Sequence, residues 1–427
     1  MDHHRMSFLK SSAWIIVLLT SAGIVRSEGR SPAEQKIDAA RRMLADKPHD
    51  VSTLSGLAMA LSERARETGD PEYYDQAEKT IEEALRILPG DFESQKTLVW
   101  ILLGKHEFPK ALELAEALNK RIPDDFMVYG LLTDAYVELG NYAEAEAACQ
   151  WMLDMRPGAV PALARGAYLR ELLGDMDGAI ELMLMAYNQT PPTEFEYRAW
   201  SLCQLAHLFM AQGKLQPAEG YLVTARQLFP DYHYLVAAEA ELLTSKKEFS
   251  AAAERWEQLT RIAPHPENFY RWGIGLLKAG DHAKSRQALD TFEKGAVGES
   301  KNVDNANREL VYYFVDIVHK PEEALRIAKL ESARRRDVFT LAINAWALQA
   351  NGQYEEARQL MDRALAVGIR DARMLYQAGM IAVRRNDPST ATRHFQDVMA
   401  VNPTSEWADL ARTELSNLLR AASSLPE

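Results

Sequence analysis

Cysteine is almost missing from this 427-residue chain: Cys149 and Cys203 are the only two. Two thiols cannot make a disulfide framework or a cysteine-rich zinc site. Catalytic signatures are missing as well. There is no glycine-rich phosphate loop, no His-Glu-x-x-His, no Cys-x-x-Cys and no Gly-x-Ser-x-Gly. His106-Glu107 lacks the second histidine that a zinc site needs. The histidines are scattered, with His207, His233, His265 and His282 in different segments and none with a partner at ligand spacing. No enzyme class, cofactor or metal is therefore expected. Excess positive charge is lacking too. Forty-nine Lys and Arg face 61 Asp and Glu, a net charge of −12. That balance weighs against nucleic acid, whose binding rests on basic patches. Arg334-Arg335-Arg336 and Arg384-Arg385 are the notable basic runs and read as solvated helix ends or turns.

What the chain does have is a period. Pro89, Pro123, Pro157 and Pro191 stand 34 residues apart, and Pro230 and Pro264 repeat the gap after a short insertion. A fixed period of this length means stacked units rather than one globular core. Each unit reads as two helices. In the third, Tyr129, Leu132, Tyr136 and Leu139 fall on one helical face. Gly140 ends that helix. Asn141 with Glu144 is expected to cap the next helix, whose apolar stripe is Ala145, Cys149 and Met152. Pro157 closes the unit, having no amide to continue a helix.

Small residues recur where two helices would cross. In first helices they are Ala58, Thr133, Ala167, Ala206, Ala240, Gly273, Ala345 and Gly379. In second helices they are Ala77, Ala111, Ala145, Ala179, Ala218, Ala252, Ala324, Ala357 and Ala391. Together with the inter-helix glycine and the closing proline, these positions resemble the tetratricopeptide repeat over nearly the whole chain after the first thirty residues. The first unit departs from the pattern by an insertion around Arg66–Tyr74, and the seventh has Ser285 in place of alanine. The eighth, at about Asn305–Arg336, lacks both the glycine and the proline. The resemblance implies an all-α fold, a right-handed α-solenoid of about ten helix pairs with a C-terminal capping helix over 404–420. Units would occupy 31–294 and 305–403, with a loop or hinge at 295–304.

The resemblance also implies that first helices line a concave groove for a partner protein or peptide. On that register the groove residues are Lys96, Trp100, Asp134, Arg165, Tyr168, Trp200, His207, Glu241, Tyr270, Arg271, Tyr313, Trp346 and Tyr376. Trp100, Tyr168, Tyr313 and Trp346 would share one place in their units. Aromatic residues and arginine anchor interfaces, although rings also pack between neighbouring helices. The family's carboxylate-gripping branch pairs Lys with Asn, and here Lys96 is followed one turn later by Trp100. An alternative occupant of an aromatic groove is a glycan or peptidoglycan strand.

The N-terminus has a different character. Arg5 and Lys10 precede a mostly apolar run, Ala13–Val25, and Val25-Arg26-Ser27 offers a processing site. This is the layout of a secretory signal over 1–27, so the chain is expected to be exported, periplasmic or secreted. An uncleaved membrane anchor is the alternative, although the run is short for a span of about 20 residues. Ser31-Pro32-Ala33-Glu34 is expected to open the first folded helix.

Overall fold

The computed structural model describes residues 31–303 and 305–423; the proposed signal lies outside them. Helix α1 (Pro32–Asp46) starts where Ser31 accepts the Glu34 N–H and the Glu34 carboxylate accepts the Ser31 N–H, the expected capping box. Ten helix pairs follow, here called units 1 to 10. They are α2 (Val51–Thr68) with α3 (Glu72–Ile87), α4 (Phe92–Gly104) with α5 (Phe108–Arg121), α6 (Phe126–Glu138) with α7 (Tyr142–Met155), α8 (Val160–Leu172) with α9 (Met176–Gln189), and α10 (Phe195–Ala211) with α11 (Leu215–Leu228). Then come α12 (His233–Ser245) with α13 (Phe249–Ile262), α14 (Pro266–Lys278) with α15 (His282–Glu299), α16 (Asn307–Tyr312) with α17 (Pro321–Ser332), α18 (Val338–Ala350) with α19 (Tyr354–Ala366), and α20 (Ala372–Arg384) with α21 (Pro388–Val401). Helix α22 (Glu406–Ser423) ends the array.

Every unit turns from its first helix to its second through one residue in the left-handed region. Six are glycines; the others are His106, Lys247, His319 and Asn386. The eighth unit thus makes the same turn without glycine, with His319 at φ 53°. Its first helix also differs. Residues Tyr313–Ile317 form a π-helical segment, with the Val318 N–H donating to the Tyr313 carbonyl. Such a segment inserts one residue into a helix. The small residues sit where helices cross. All nine second-helix alanines are fully buried, and Ser285 satisfies its hydroxyl on the Gly273 carbonyl at 2.8 Å. Asn141 stands at the start of α7 but its side chain makes no capping bond. The expected loop begins later than 295, because α15 runs on to Glu299.

The array does not end as an open spiral. It returns onto itself with an offset of five units. The turn of unit 1 meets the end of unit 6, where the His265 ring bonds the Gly69 carbonyl, and His233 Nε2 donates to the Arg66 carbonyl at 2.8 Å. The turn of unit 3 meets the end of unit 8: the Arg336 N–H donates to the Glu138 carbonyl at 3.1 Å and the Val338 N–H to the Tyr142 hydroxyl at 2.9 Å. The turn of unit 4 lies against Gly368 at the end of unit 9. The turn of unit 5 receives Asn402 Nδ2 on the Met210 carbonyl at 2.9 Å. A shared core backs this seam, with Val137, Cys149, Leu169 and Leu172 packing with Val338, Ala342, Ile369 and Met374. Burying that surface is the main driving force for closure.

Helix α22 covers the last pair with Ala408 and Ala411, both fully buried, and with Trp407, Leu415 and Leu418. Leu410 on the same helix is 41% exposed. The polar side of α22 joins the seam through Lys247–Asp409 and Lys278–Glu406, each at 2.7 Å.

The seam can be separated from simple backbone preference. Gly174 and Gly352 have φ of 83° and 77°. A Cβ on Gly174 would collide with the Gly368 carbonyl oxygen, while one on Gly352 would meet open space. Gly352→Ala should lose about 1–2 kcal/mol, the left-handed cost alone. Gly174→Ala should lose roughly a further 1–3 kcal/mol through displaced backbone. Thermal unfolding of both variants, read as Tm, checks the difference.

Candidate functional site: an inner channel

Closure converts the concave side into a channel lined by first helices. Two cavities of about 580 and about 650 Å³ lie along it and share His207, Glu241, Arg271 and Phe339. Tyr168 and Tyr234 line the first and are each 41% exposed, so their rings face space within the channel rather than a packed core. Tyr270, Tyr312, Arg308, Arg373 and Trp407 line the second. The sequence-derived residues Tyr168, His207, Glu241, Tyr270 and Arg271 are therefore brought together.

Much of the polar wall ties consecutive units to one another. Lys96 joins Glu93 at 2.9 Å and reaches the next unit's Asp125 at 3.0 Å. Asp134 takes a two-pronged grip from Arg165 across one unit boundary, at 2.8 and 2.5 Å, and Arg165 also donates to the Gly130 and Pro161 carbonyls. Glu171 meets His207 at 2.7 Å, and Glu241 meets Arg271 at 2.7 Å. Bidentate pairing of this kind fixes orientation as well as adding energy. These residues line the wall and set the angle between units at once.

The aromatic predictions divide. Trp100 and Trp200 are partly buried against the cores of their own and neighbouring units. Tyr376 packs between Phe395 and Trp407. The Trp346 indole N–H donates to Asp316 at 2.8 Å. Tyr313 is misplaced by the sequence register. It is 4% exposed, stacks edge-on against Phe292 and donates its hydroxyl to Glu293 at 2.9 Å. Tyr313 lies in the core, while Tyr312, itself only 8% exposed, and Arg308, one turn earlier, line the channel just before the π segment. Their neighbours complete an arginine-and-ring wall. The Arg373 guanidinium lies 3.1 Å from the Tyr312 ring centroid, and that of Arg308 lies 4.9 Å from Phe339. Nothing in the repeat pattern marks a π insertion, so Arg308 and Tyr312 could not be found by counting from a glycine. The inter-unit pairs did leave a signal: opposite charges one repeat apart, 31 residues for Asp134–Arg165 and 30 for Glu241–Arg271.

Burial sets the protonation of the wall. For His207 it disfavours the charged ring, but the Glu171 carboxylate more than offsets it, and the pKa rises to about 9. At the seam His233 has no such carboxylate, and burial pushes it down to about 4. Burial also raises both thiols, Cys149 to about 11, so they remain protonated and separate. Among the described residues no cluster of three or more metal-ligating side chains occurs.

A family description, the tetratricopeptide repeat, matches residues 96–160, 131–193 and 344–400. These windows are tetratricopeptide repeats. The matched windows fall in units 2 to 4 and 9 to 10, and the remaining units repeat the same helix, left-handed turn and helix. No curated protein matches in sequence. Among solved structures the chain is similar to a subunit assembly titled APC/C hetero-tetramer Cut9-Hcn1, at 15% identity and TM-score 0.47, covering 92% of this chain and 60% of that one. The present chain thus spans 60% of the length of that protein. It is also similar to the human IFIT1 dimer solved with PPP-AAAA, at 12% identity and TM-score 0.48, covering 87% and 95%. A third is TTC0263, a tetratricopeptide-repeat protein of Thermus thermophilus, at 21% and 0.37, covering 50% and 99%.

The two histidines should titrate in opposite directions. The folded pKa of His207 lies above its unfolded value, so its stabilising contribution is complete below about pH 6.5 and is lost as pH rises through about 9. That of His233 lies below, so its contribution is present above about pH 6.5 and is lost as pH falls toward about 4. NMR titration of the imidazoles should show both, and Glu171→Gln should lower the His207 midpoint without moving that of His233.

Proposed function

We propose that this protein is an exported helical-repeat scaffold that holds a segment of a partner protein in its inner channel. The observation that carries the reading is the space along the inner face. Cavities of about 580 and about 650 Å³ meet at His207, Glu241, Arg271 and Phe339. These volumes suit a few residues of extended chain or one large side chain per cavity, and they are too small for a folded domain. The wall combines rings with guanidinium and carboxylate groups, the residue types that anchor peptide segments. The role is binding, not catalysis. Tetratricopeptide arrays work generally as protein-interaction scaffolds, and the two buried thiols are held in their unreactive form.

One observation favours a glycan strand as the second reading: Tyr168 and Tyr234 expose ring surface to the same cavity, as sugar-stacking platforms do. The two readings separate by experiment. Envelope proteins captured by the wild type but not by a Tyr168→Ala, Arg271→Ala variant support the peptide reading. Binding of purified cell-wall polymer with quenching of the Trp256 and Trp407 fluorescence, lost in the same variant, supports the glycan. Capture unaffected by the variant removes the channel from both.

Export rests on the charged and apolar opening of the sequence. No described helix is long and apolar enough to cross a membrane. N-terminal sequencing of the native protein should find a mature chain starting near Ser27. A chain that still begins at Met1 or Met6 would make the segment an anchor or no signal at all.

A further inference from the structure

The seam described above is a contact between two different rims of the same array. One rim carries the left-handed turns inside units; the other carries the segments that close units. Where the array overlaps itself, the turns of units 3 to 5 sit on the closing segments of units 8 to 10. Outside the overlap no described segment of the chain covers the same two rims. The closing segments of units 1 to 4 have no turn beneath them, and the turns of units 8 to 10 have no closing segment above them.

The bare stretches keep the character of a contact surface. On the closing rim Leu88 and Ile122, the caps ending α3 and α5, are 50% and 37% exposed. Their counterparts ending α11 and α13, Phe229 and Ala263, lie on seam-side segments and are 6% and 1% exposed. Ile87 and Met155, at the last positions of α3 and α7, extend the apolar edge at 42% and 52%. On the turn rim, Gly352 has open space where Gly140 and Gly174 of the seam are covered by backbone. Both rims expose charges of both signs: Lys320, Glu322, Glu355 and Arg384 on the bare turn rim, and Arg121, Asp124, Arg156 and Glu194 on the bare closing rim.

We infer that the bare turn rim of one molecule docks on the bare closing rim of a second copy of this chain, continuing the seam between molecules. The two surfaces differ, so the contact is head-to-tail. A heterologous contact that does not close into a ring adds subunits without limit. Short filaments with the channel running through them follow. The inference is independent of what the channel holds.

Sedimentation velocity of the purified protein tests it. The average mass should rise with concentration beyond the dimer. Ile122→Lys on the closing rim and Arg384→Glu on the turn rim should each weaken association by about tenfold or more. Circular dichroism should show both variants folded, since both side chains are exposed. A one-to-one mixture of the two variants is decisive. Each variant retains one intact rim, so the mixture should form dimers and stop there. A wild type that stays monomeric at every concentration overturns the proposal. So does an Arg384→Glu variant that associates like the wild type, since that outcome indicates a symmetric contact through the closing rim alone.

Discussion

The rest of the structure depends on a backbone contact between a helix turn and a closing segment five units further along the chain. Units of a repeat array contact mainly their neighbours, so their stability is local and their overall curve is soft. The seam changes that. Arg336 on Glu138, Asn402 on Met210 and His233 on Arg66 are single hydrogen bonds, each worth roughly 1 kcal/mol. The mixed core of α6, α7, α8, α18 and α20 sets them in an apolar surround. Together they turn a bendable spiral into a closed wall. The channel exists only because this wall is closed, and its dimensions are inherited from the offset.

The inner face then serves two purposes with the same side chains. Arg165, His207 and Arg271 each hold a carboxylate of the preceding unit. A wall made of such ties is fixed before any ligand arrives, which lowers the ordering cost of binding. It also limits what substitution can reveal. Removing Arg271 takes away a lining group and loosens the joint between units 6 and 7, so a loss of binding needs the exposed ring of Tyr168 as its companion evidence.

The helical pairs were legible in the sequence because each has a local cause. Proline at a fixed spacing, alanine at each crossing and glycine at most turns act within a few residues of themselves. The eighth unit shows where local causes stop. His319 takes a left-handed turn that sequence would assign to glycine, and the π segment beside it shifts the register of one helix by one residue. Counting along the repeat therefore points to Tyr313 for the channel wall, where the structure has Tyr312. The seam was not legible at all. It joins residues about two hundred positions apart, and nearly every hydrogen bond in it has a backbone carbonyl or amide, which every sequence possesses, on at least one side. The inter-unit pairs stand between these extremes, visible as opposite charges one repeat apart once the period is known.

An open array can gain or lose a repeat during evolution, since each unit needs only the two beside it. This array has less freedom. The covered carbonyls of Glu138, Met210 and Gly368 have their partners at a fixed count of units. Adding one unit anywhere between the third and the eighth would advance every later closing segment past its turn, and the shared core would lose its register along its whole length. Closure therefore makes repeat number a conserved quantity of the fold, in the way that strand number is for a barrel.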